Sequence, residues 1–493
     1  MELKIKILKW STNFPAVMLN QKTAAKIGVH SNDRISVKTI STHPKELHTI
    51  IDTVKGFVKE NEIAVSSELK EILDLKVGQK VDINLAETPD SLNFIKKKLN
   101  GASLSEKEIT EIIKEVVDNS LSESEIALFV SGMYKQGMKM KETIFLIKAI
   151  LKFGNRLSLK DKFVVDKHSV GGVAGNRTTP IVVSICAASG LIVPKTSSRA
   201  ITSAAGTADV IETIANVEFS MDELKKIIRK TNACMVWCGA LGMVPADSKI
   251  IKVEKQLKID PPAQLLASIM SKKLAAGSNY ILIDIPYGKT AKVNKKGALM
   301  LKKKFLQLGK YFRKKLKCIL TDGSQPIGNG VGPALELTDV IKVLNCEKER
   351  PRDLEKKSLI LAGEIFEMTG KAKKGEGFEM ARQILDSGKA FEKFKEIIKA
   401  QDGDLRRIKL AKFQHDIFQK HSGKIKEIDN KKINFLARTA GCPLDKSAGL
   451  YLHFHVGDRV KKGEKILTIY SESKSRLKQA INFCREIKPI RIN

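Results

Sequence analysis

Two stretches rich in glycine, serine and threonine carry residue types that suit the binding of an anion. The first, DKHSVGGVAGN at 166–176, places Lys167 and Ser169 beside a run of glycines. The second, SSRAITSAAGT at 197–207, places Arg199 among hydroxyl side chains. Glycines leave backbone N–H groups accessible, and a following helix adds about half a positive charge at its N-terminus. These features favour phosphate as the ligand, although serine and threonine in such loops also serve as helix caps.

Neither loop has the spacing of a known nucleotide-binding signature. Residues 171–176 read GGVAGN, which differs from the dinucleotide pattern GxGxxG, and no GK[ST] follows as in a Walker loop. The eight histidines and seven cysteines lack the spacing of zinc ligands, so we expect no metal. The loops therefore predict anion binding without identifying the substrate.

The segments around the loops alternate between strand and helix patterns. KFVVDK leads into the first loop and IVVSICAASG follows it, whereas IVPKTS leads into the second. Such alternation is typical of an α/β domain with a mainly parallel sheet.

The N-terminal region has a different pattern. GVHSNDRISV at 28–37 resembles DLKVGQKVDI at 74–83, and both place a polar turn before an alternating strand, as a pseudo-symmetric β-barrel requires. From residue 91 the apolar period changes to about 3.6, and Ser105 with Glu108 and Ser122 with Glu125 have the spacing of capping boxes, which predicts helices.

The fold class that we predict is α/β, divided into several domains because 493 residues are too many for one core. It comprises a small N-terminal β-barrel-like domain, a helical domain, a mixed, mainly parallel α/β domain and a C-terminal β-rich α+β domain. The predicted boundaries are 1–88 for the barrel, 91–160 with about 246–278 for the helices, 161–245 with about 279–345 for the α/β domain, and 346–493 for the C-terminal domain.

The chain is strongly basic, with 87 Lys and Arg against 55 Asp and Glu and a formal net charge of +32. Only 16 of the basic residues are arginine, the residue on which specific nucleic-acid contacts usually depend. Residues 292–317 hold 11 basic and no acidic residues, but apolar residues recur among them at helical spacing, which predicts an amphipathic helix with lysines outside. We therefore expect no nucleic-acid partner. The longest apolar stretch, around 180–193, is too short to span a bilayer, so we expect no membrane association, and the seven cysteines favour a reducing, cytoplasmic location.

Six longer motifs carry a resemblance to a known family. In chain order they are DKHSVGGVAGNRTT, SSRAITSAAGTADV, GMVPADSK, LLASIMSKKLAAGS, DGSQPIGNGVGPALEL and LARTAGCPLDKSAG. This series resembles that of the thymidine and pyrimidine-nucleoside phosphorylases, over about residues 91–480. Within that family, the N-terminal segment and the sequence SSRAITSAAGT are similar to those of the AMP phosphorylases.

The resemblance implies phosphorolysis, in which inorganic phosphate attacks the anomeric carbon of a ribose while the base leaves. For AMP the products are adenine and ribose 1,5-bisphosphate, phosphate is a co-substrate, and no cofactor is implied. Residues Lys167, Ser169 and Ser197 match phosphate-binding positions of the family. Positions that match nucleotide-contacting residues are Gly172, Ser198, Arg199, Ala200, Ile201, Thr202, Ser203, Thr207, Ser268 and Lys292.

Two residues, Arg199 and Asp260, are candidates for specific roles. Arg199 is our candidate for the 5′-phosphate of the substrate, because a guanidinium can bind phosphate with two parallel hydrogen bonds. Asp260, before Pro261, matches the residue treated as proton donor to the departing purine, a role that requires a carboxyl group protonated near neutral pH. An aspartate before proline is also a common residue at the start of a helix.

The base-recognition positions depart from those of the thymidine phosphorylases. Ser268 and Lys272 are four residues apart and so share one helical face, but Val253 stands where those enzymes have an arginine. This departure weakens the alternative that the protein is a thymidine or pyrimidine nucleoside phosphorylase. A second alternative is a non-catalytic basic nucleic-acid-binding protein. We expect a homo-oligomer, at least a dimer, with AMP and phosphate as its small-molecule partners.

Overall fold

The computed structural model describes residues 1–8, 11, 15–86, 88–159, 161–200 and 203–493. They form two compact units. The first consists of Met1–Phe153 with Pro245–Ala267, and the second of Gly154–Val244 with Ser268–Asn493. Helices and strands occur in both, which confirms a mixed α/β chain. Within the described ranges, every helix is too short or too polar to traverse a lipid bilayer.

The elements are numbered in chain order. Up to residue 160 they are β1 (Glu2–Ile7), β2 (Ala16–Asn20), α1 (Gln21–Ile27), β3 (Arg34–Thr39), β4 (Glu46–Val54), β5 (Glu62–Val65), α2 (Ser67–Leu73), β6 (Lys80–Leu85), α3 (Ser91–Leu99), α4 (Glu106–Val117), α5 (Glu123–Gln136) and α6 (Met140–Lys152). From 161 to 345 they are β7 (Val165–Ser169), α7 (Thr178–Ala188), β8 (Val193–Ser197), α8 (Thr207–Ile211), α9 (Met221–Thr231), β9 (Ala233–Trp237), α10 (Pro245–Leu257), α11 (Pro262–Ala275), β10 (Tyr280–Tyr287), α12 (Lys295–Tyr311), β11 (Lys315–Asp322), β12 (Gly330–Val331) and α13 (Pro333–Leu344). From 346 they are α14 (Arg352–Thr369), α15 (Gly377–Asp386), α16 (Lys389–Ala400), a 3₁₀ turn at Leu405–Arg407, β13 (Phe413–Phe418), β14 (Gly423–Ile428), α17 (Asn430–Ala440), β15 (Gly449–Leu452), β16 (Arg459–Val460), β17 (Lys465–Ser471), α18 (Lys474–Ile487) and β18 (Ile490–Ile492).

Six strands of the first unit form a closed barrel in the order β1-β5-β2-β4-β3-β6. Apolar side chains of the strands fill its interior; in β1, where buried and exposed residues alternate, Leu3 and Ile5 are buried and Lys4 is exposed. The buried apolar residues of these strands and of α1 and α2 form a separate core. Because the barrel closes on itself, it presents no unpaired strand edge.

The barrel is built from two similar halves. In each half a strand leads through a short helix to another strand, as β2-α1-β3 and as β5-α2-β6. Helix α1 ends at Gly28 and α2 at Asp74, both in the left-handed conformation with φ of 73° and 54°. These two residues open the repeated sequence segments. Exchanging β1–β3 for β4–β6 leaves the strand order unchanged, so the sequence repeat corresponds to a repeated structure.

The helices of the first unit begin where the capping signals predict. Ser105 and Ser122 each cap a helix, with Glu108 and Glu125 returning the second hydrogen bond of the capping box. A buried ion pair of 3.0 Å joins Lys98 of α3 to Glu142 of α6.

The second unit contains parallel strands, as the alternating pattern predicts. Strand β10 pairs in parallel with β11 and β7, and β8 pairs in parallel with β9. A parallel bridge between Val164 and Ile192 connects the two groups. The carboxyl ends of parallel strands share one edge, so the segments that follow β7, β8 and β10 emerge on the same side.

Helices cover this sheet. Helix α7 is buried almost throughout because its sequence, TTPIVVSICAA, is apolar on nearly every side, and α13–α16 share its apolar core. In α12, Leu301, Phe305 and Leu308 are buried while Lys303 and Lys310 are exposed, which matches the predicted amphipathic helix.

The C-terminal part contains two antiparallel sheets, with the strand orders β12-β15-β17-β13 and β16-β14-β18. Helices α17 and α18 cover them, and their apolar side chains form a third core. Ala174 and Ala204, one from each glycine-rich loop, are members of this core.

Candidate active site

The first loop begins at the end of β7, where Lys167 is almost completely buried. Its Nζ donates to the hydroxyl of Thr178, 2.6 Å away in the first turn of α7. Burial lowers the pKa of Lys167 to about 7, although the carboxylate of Asp284 opposes the shift. The lysine therefore changes charge near neutral pH, and an anion placed beside it would favour its charged form.

Ser169 belongs to a hydrogen-bonded cluster around Asp284 of β10. The Asp284 carboxylate accepts from Thr321 at 2.6 Å, from Ser169, and pairs with Lys357 at 3.1 Å. Burial opposes its ionisation, but Lys357 and Lys167 hold the pKa of Asp284 below its ordinary value. A fixed negative charge thus lies beneath the first loop and orients the Ser169 hydroxyl.

On the other face of β7, Asp166 lies between two buried lysines. Its two oxygens accept from Lys195 of β8 at 3.1 Å and from Lys273 of α11 at 2.6 Å. Lys195 also donates to the main-chain carbonyl of Lys167 at 2.7 Å, which ties β8 to the strand end that opens the first loop. Two lysines share one carboxylate in this buried cluster, and burial lowers the pKa of Lys273 to about 7, so the positive charge below the loops changes near neutral pH.

His168, between Lys167 and Ser169, is surrounded by lysines. Burial first, and then Lys273 and Lys195, lower its pKa well below the ordinary value. The imidazole is neutral at neutral pH, so it can donate one hydrogen bond and accept another.

The second loop is held at both ends. The Asp209 carboxylate accepts from the main-chain N–H of Ala200 and of Gly206, each at 2.7 Å. Arg177, which directly follows the first loop, donates to Thr207 Oγ1 at 2.9 Å and to the carbonyl of Ala205 at 2.8 Å. Buried Glu336 neutralises Arg177 at 2.7 Å. The two loops are therefore coupled through Arg177.

Arg199 lies on the second loop but is engaged with carboxylates. Its guanidinium pairs with Glu212, donates to Glu218 at 2.9 Å, and stacks on Trp237 with 4.7 Å to the ring centroid. About one third of the side chain is exposed. Its hydrogen bonds to Glu212 raise the pKa of the guanidinium further, so it remains charged.

A third segment, GKTAKV after β10, meets the first loop. A Cβ atom added to Gly172 would lie 2.4 Å from the main-chain nitrogen of Lys292, so only glycine permits this approach. Gly172 also has φ of 86°, in the left-handed region. The structure thus brings together two predicted nucleotide-contacting positions that are far apart in sequence.

Ser268 and Lys272 face each other on α11. Lys272 donates to the Ser268 hydroxyl at 2.6 Å, and both side chains are largely buried. Because the Ser268 oxygen accepts from lysine, its own proton is available to an acceptor on a ligand.

The remaining predicted residues are distributed less closely. Ser197 and Ser198 are half-buried at the start of the second loop, and Ser203 donates to the carbonyl of Ala205. Asp260 belongs to the first unit and is exposed, so its catalytic role stays a prediction. Ile201 and Thr202 lie outside the described residues.

Sequence reasoning missed the buried charges that support the loops. Lys195 interrupts the apolar segment IVPKTS, and Asp284 interrupts YILIDIP. A charge within a buried strand almost always has a partner, so these interruptions were the available signal. Asp166 and Arg177 belong to the motif DKHSVGGVAGNRTT, but nothing in the sequence indicated which groups they would contact.

Three family models match successive parts of the chain. They are described as the helical bundle domain of a glycosyl transferase family at 92–154, the a/b domain of that family at 161–391, and the pyrimidine nucleoside phosphorylase C-terminal domain at 424–490.

Curated relatives match nearly the whole length. The AMP phosphorylase of Pyrococcus furiosus is 43% identical over 99% of this chain and 97% of the relative. That of Thermococcus kodakarensis is 42% identical over 100% and 98%, and that of Methanococcus aeolicus 40% over 99% and 97%. The chain belongs to the AMP phosphorylase family. It is thereby an enzyme of the phosphorylase and glycosyltransferase type, and the family assignment covers both units.

Among solved structures, the fold resembles that of anthranilate phosphoribosyltransferase from Thermus thermophilus. The TM-score is 0.52 at 18% identity, over 62% of this chain and 99% of the other. This likeness concerns the fold alone. Membership of the AMP phosphorylase family rests on the full-length relatives.

Proposed function

We propose that the protein catalyses the phosphorolysis of AMP. An oxygen of inorganic phosphate forms a bond to the anomeric carbon of the ribose, the bond from that carbon to the purine nitrogen breaks, and its electron pair leaves with the base. A proton supplied to the base completes the products, adenine and ribose 1,5-bisphosphate. Inorganic phosphate is the co-substrate, and the reaction as written needs no cofactor.

One structural observation carries the proposal. The two hydroxyl-rich loops and the Lys292 segment follow parallel strands of the same unit, and Lys292 is in contact distance of the first loop at Gly172. One edge of the unit therefore presents enough cationic and hydroxyl side chains to bind two anions, as phosphate and a nucleoside monophosphate require. A nucleoside carries no phosphate group, so a nucleoside phosphorylase would need only one anion-binding site.

The residues divide between the two substrates as follows. Lys167, Ser169 and Ser197 bind inorganic phosphate, with the buried lysine changing charge as the anion arrives. The nucleotide is bound by Gly172, by the second loop from Ser198 to Ser203 together with Thr207, and by Ser268 and Lys292. Asp260 donates the proton to the base, a step of a kind that contributes about a hundred- to ten-thousandfold in rate.

Arg199 is the proposed ligand of the 5′-phosphate, and it must exchange partners to bind it. Glu212 and Glu218 hold the guanidinium in the free protein. Replacing Arg199→Ala should raise KM for AMP strongly. Glu218→Gln removes one competitor and should lower KM for AMP by up to about fivefold. If neither substitution alters KM for AMP, Arg199 does not bind the 5′-phosphate.

The decisive experiment is a substrate panel. Purified protein with phosphate is offered AMP, CMP, UMP, GMP, adenosine, uridine and thymidine, and release of free base is followed. AMP should be cleaved faster than any nucleoside. Rapid cleavage of thymidine or uridine without cleavage of AMP would instead identify a pyrimidine nucleoside phosphorylase.

The proposal also covers the oligomeric state, the cellular location and the division of the chain into domains. We infer a homo-oligomer of at least two chains, in the cytoplasm, where its seven free thiols remain reduced. Three of the four predicted domains have support from the order of the family models, whose helical, a/b and C-terminal matches succeed one another along the chain, and the predicted barrel has support from the closed strand order.

A further inference from the structure

Helix α17, in the C-terminal part, contacts both glycine-rich loops through two asparagines one turn apart. Asn430 Oδ1 accepts from the main-chain N–H of Ala174 in the first loop at 3.0 Å. Asn434 Oδ1 accepts from the main-chain N–H of Ala204 in the second loop at 2.8 Å. Residues four apart lie on one face of a helix, so this face of α17 meets both loops.

The orientation of both amides is fixed by chemistry. A main-chain N–H can only donate, so the oxygen of each side chain must face its loop. The nitrogen of Asn434 donates to the carbonyl of Asn430 at 2.9 Å. The nitrogen of Asn430 donates to Thr290 Oγ1 at 3.1 Å and to the carbonyl of Gly323 at 3.0 Å. Every polar atom of the two side chains thus has a partner.

These contacts include the third segment of the site. Thr290 lies two residues before Lys292, in the segment that meets Gly172. Asn430 therefore holds the first loop and the Lys292 segment, and Asn434 holds the second loop. Asn430 is fully buried and Asn434 is 8% exposed, so water cannot readily replace either hydrogen bond.

We propose that Asn430 and Asn434 are positioning residues that fix the substrate-binding loops relative to one another, and that α17 is the element through which the C-terminal part serves the active site. The apolar packing of Ala174 and Ala204 against the core of α17 supports the same arrangement. The asparagines act through the loops and do not themselves contact substrate.

The first test measures hydrogen exchange by mass spectrometry and needs no substrate, so it is independent of the proposed function. Asn434→Ala should accelerate exchange at Ala204 about tenfold and leave Ala174 slow. Asn430→Ala should do the reverse, because Asn434 bonds to the main chain of residue 430, which the substitution retains. Unchanged exchange at both alanines in both variants would overturn the proposal.

Two further variants serve as controls. Thr439→Ala removes a hydroxyl of α17 that donates to the carbonyl of Phe435 within the same helix, so neither loop should change. Asn434→Asp keeps an acceptor for Ala204 and should keep its exchange within about threefold of the unmodified protein; fast exchange at Ala204 in this variant would count against the proposal. This variant also provides a readout if Asn434→Ala does not fold.

The kinetic test rests on the proposed function. Asn434→Ala should raise KM for AMP about tenfold with kcat changed much less, and Asn430→Ala should raise KM for phosphate as well. Altered exchange without any AMP turnover in the unmodified protein would refute the proposed function and leave the positioning role intact. Altered exchange with unchanged KM values would show that the loops do not need these contacts.

Discussion

At the scale of single residues, the site is built on buried lysines. Lys167, Lys195 and Lys273 are each almost completely withdrawn from solvent, and each has a carboxylate or hydroxyl within hydrogen-bonding distance. Burial of a lysine favours the neutral amine unless a negative charge is near. An anionic substrate supplies such a charge, so binding of the anion is linked to protonation of Lys167 and Lys273, whose pKa values burial lowers to about 7.

The linkage predicts how anion binding depends on pH. Sulfate, whose charge is constant in this range, should bind the free protein well below about pH 7, where Lys167 is protonated. As pH rises through the lowered pKa of Lys167, affinity should fall by up to about tenfold per pH unit, because the lysine must take up a proton to bind. Calorimetry from about pH 6 to about pH 9 measures this. In Lys167→Gln the slope should be smaller, and the remainder belongs to Lys273, whose pKa burial also lowers to about 7; an equal slope in this variant would exclude Lys167 as a source.

The free energy of unfolding should depend on Asp166, which pairs with the two buried lysines Lys195 and Lys273. Asp166→Asn leaves Lys195 and Lys273 buried without the carboxylate that pairs with both, so the free energy of unfolding should fall by about 3 to 5 kcal/mol. Adding Lys195→Met removes one of the unpaired charges and should recover part of the loss. Urea unfolding of both variants measures the difference. Equal stability of Asp166→Asn and the unmodified protein, or a double variant weaker than the single one, would contradict the ion-pair interpretation.

At the scale of elements, the close approach of the first loop to the Lys292 segment is the most restrictive feature. Gly171 and Gly172 have nearly equal φ of 90° and 86°, so alanine is strained at both positions. Of the two, only Gly172 would place the new methyl group against another segment, since no atom of the described residues lies within 4 Å of a Cβ at Gly171. The pair therefore separates backbone strain from collision.

Gly172→Ala should displace the Lys292 segment and reduce kcat/KM for AMP about a hundredfold, as displacements near 1 Å do in other active sites. Gly171→Ala is the matched control and should lose far less. Steady-state kinetics of the two variants, with thermal unfolding to confirm that both are folded, makes the comparison. Equal losses would mean that strain alone, and not contact with Lys292, requires glycine at 172.

Prediction from sequence succeeded for elements with strong local signals. The capping boxes at Ser105 and Ser122 mark real helix starts, and the strand before each loop is where β-branched residues place it. Strands β2 and β5, of five and four residues, carry no comparable signal in the sequence, because their few positions do not alternate. The bonds from Asn430 and Asn434 could not be predicted, because they join residues 256 and 230 positions apart.

The sequence predicted which residues of the site bind the substrates, but not the contacts that hold the two loops in place. Glycine and hydroxyl content identified the loops, and the motif series identified their family. Asp209, Arg177 and Glu336 hold the second loop through contacts that only the fold creates. Arg199 was expected to be available to phosphate, yet in the free protein it is paired with Glu212 and Glu218.

At the scale of the whole molecule, the barrel is the N-terminal part of the first unit. It has its own apolar core and a closed strand order, and its two halves pair with each other around the ring. Strand β1 pairs in parallel with β5, and β2 with β4, so neither half contains its own parallel partners. Each half therefore depends on the other.

Residues 1–88 produced alone should fold, with a cooperative urea transition followed by circular dichroism. Residues 1–45 produced alone should remain unfolded, because three strands of one half lack the partners that close the barrel. The two fragments differ only by the second half, so the comparison isolates barrel closure. A structureless 1–88 fragment would mean that the barrel needs the helices that follow it in the first unit.

The bracing of the loops by α17 also has a consequence during synthesis. The loops are translated 256 and 230 residues before the asparagines that hold them, an interval of roughly 12 to 50 s at ordinary ribosomal rates. Through that interval the parallel strands of the nascent chain can already pair, but the loops that they carry lack their final hydrogen bonds. A chain arrested before residue 430 would therefore carry the residues proposed to bind the two anions without the contacts that position their loops, so under the proposal competence for binding arises only near the end of translation.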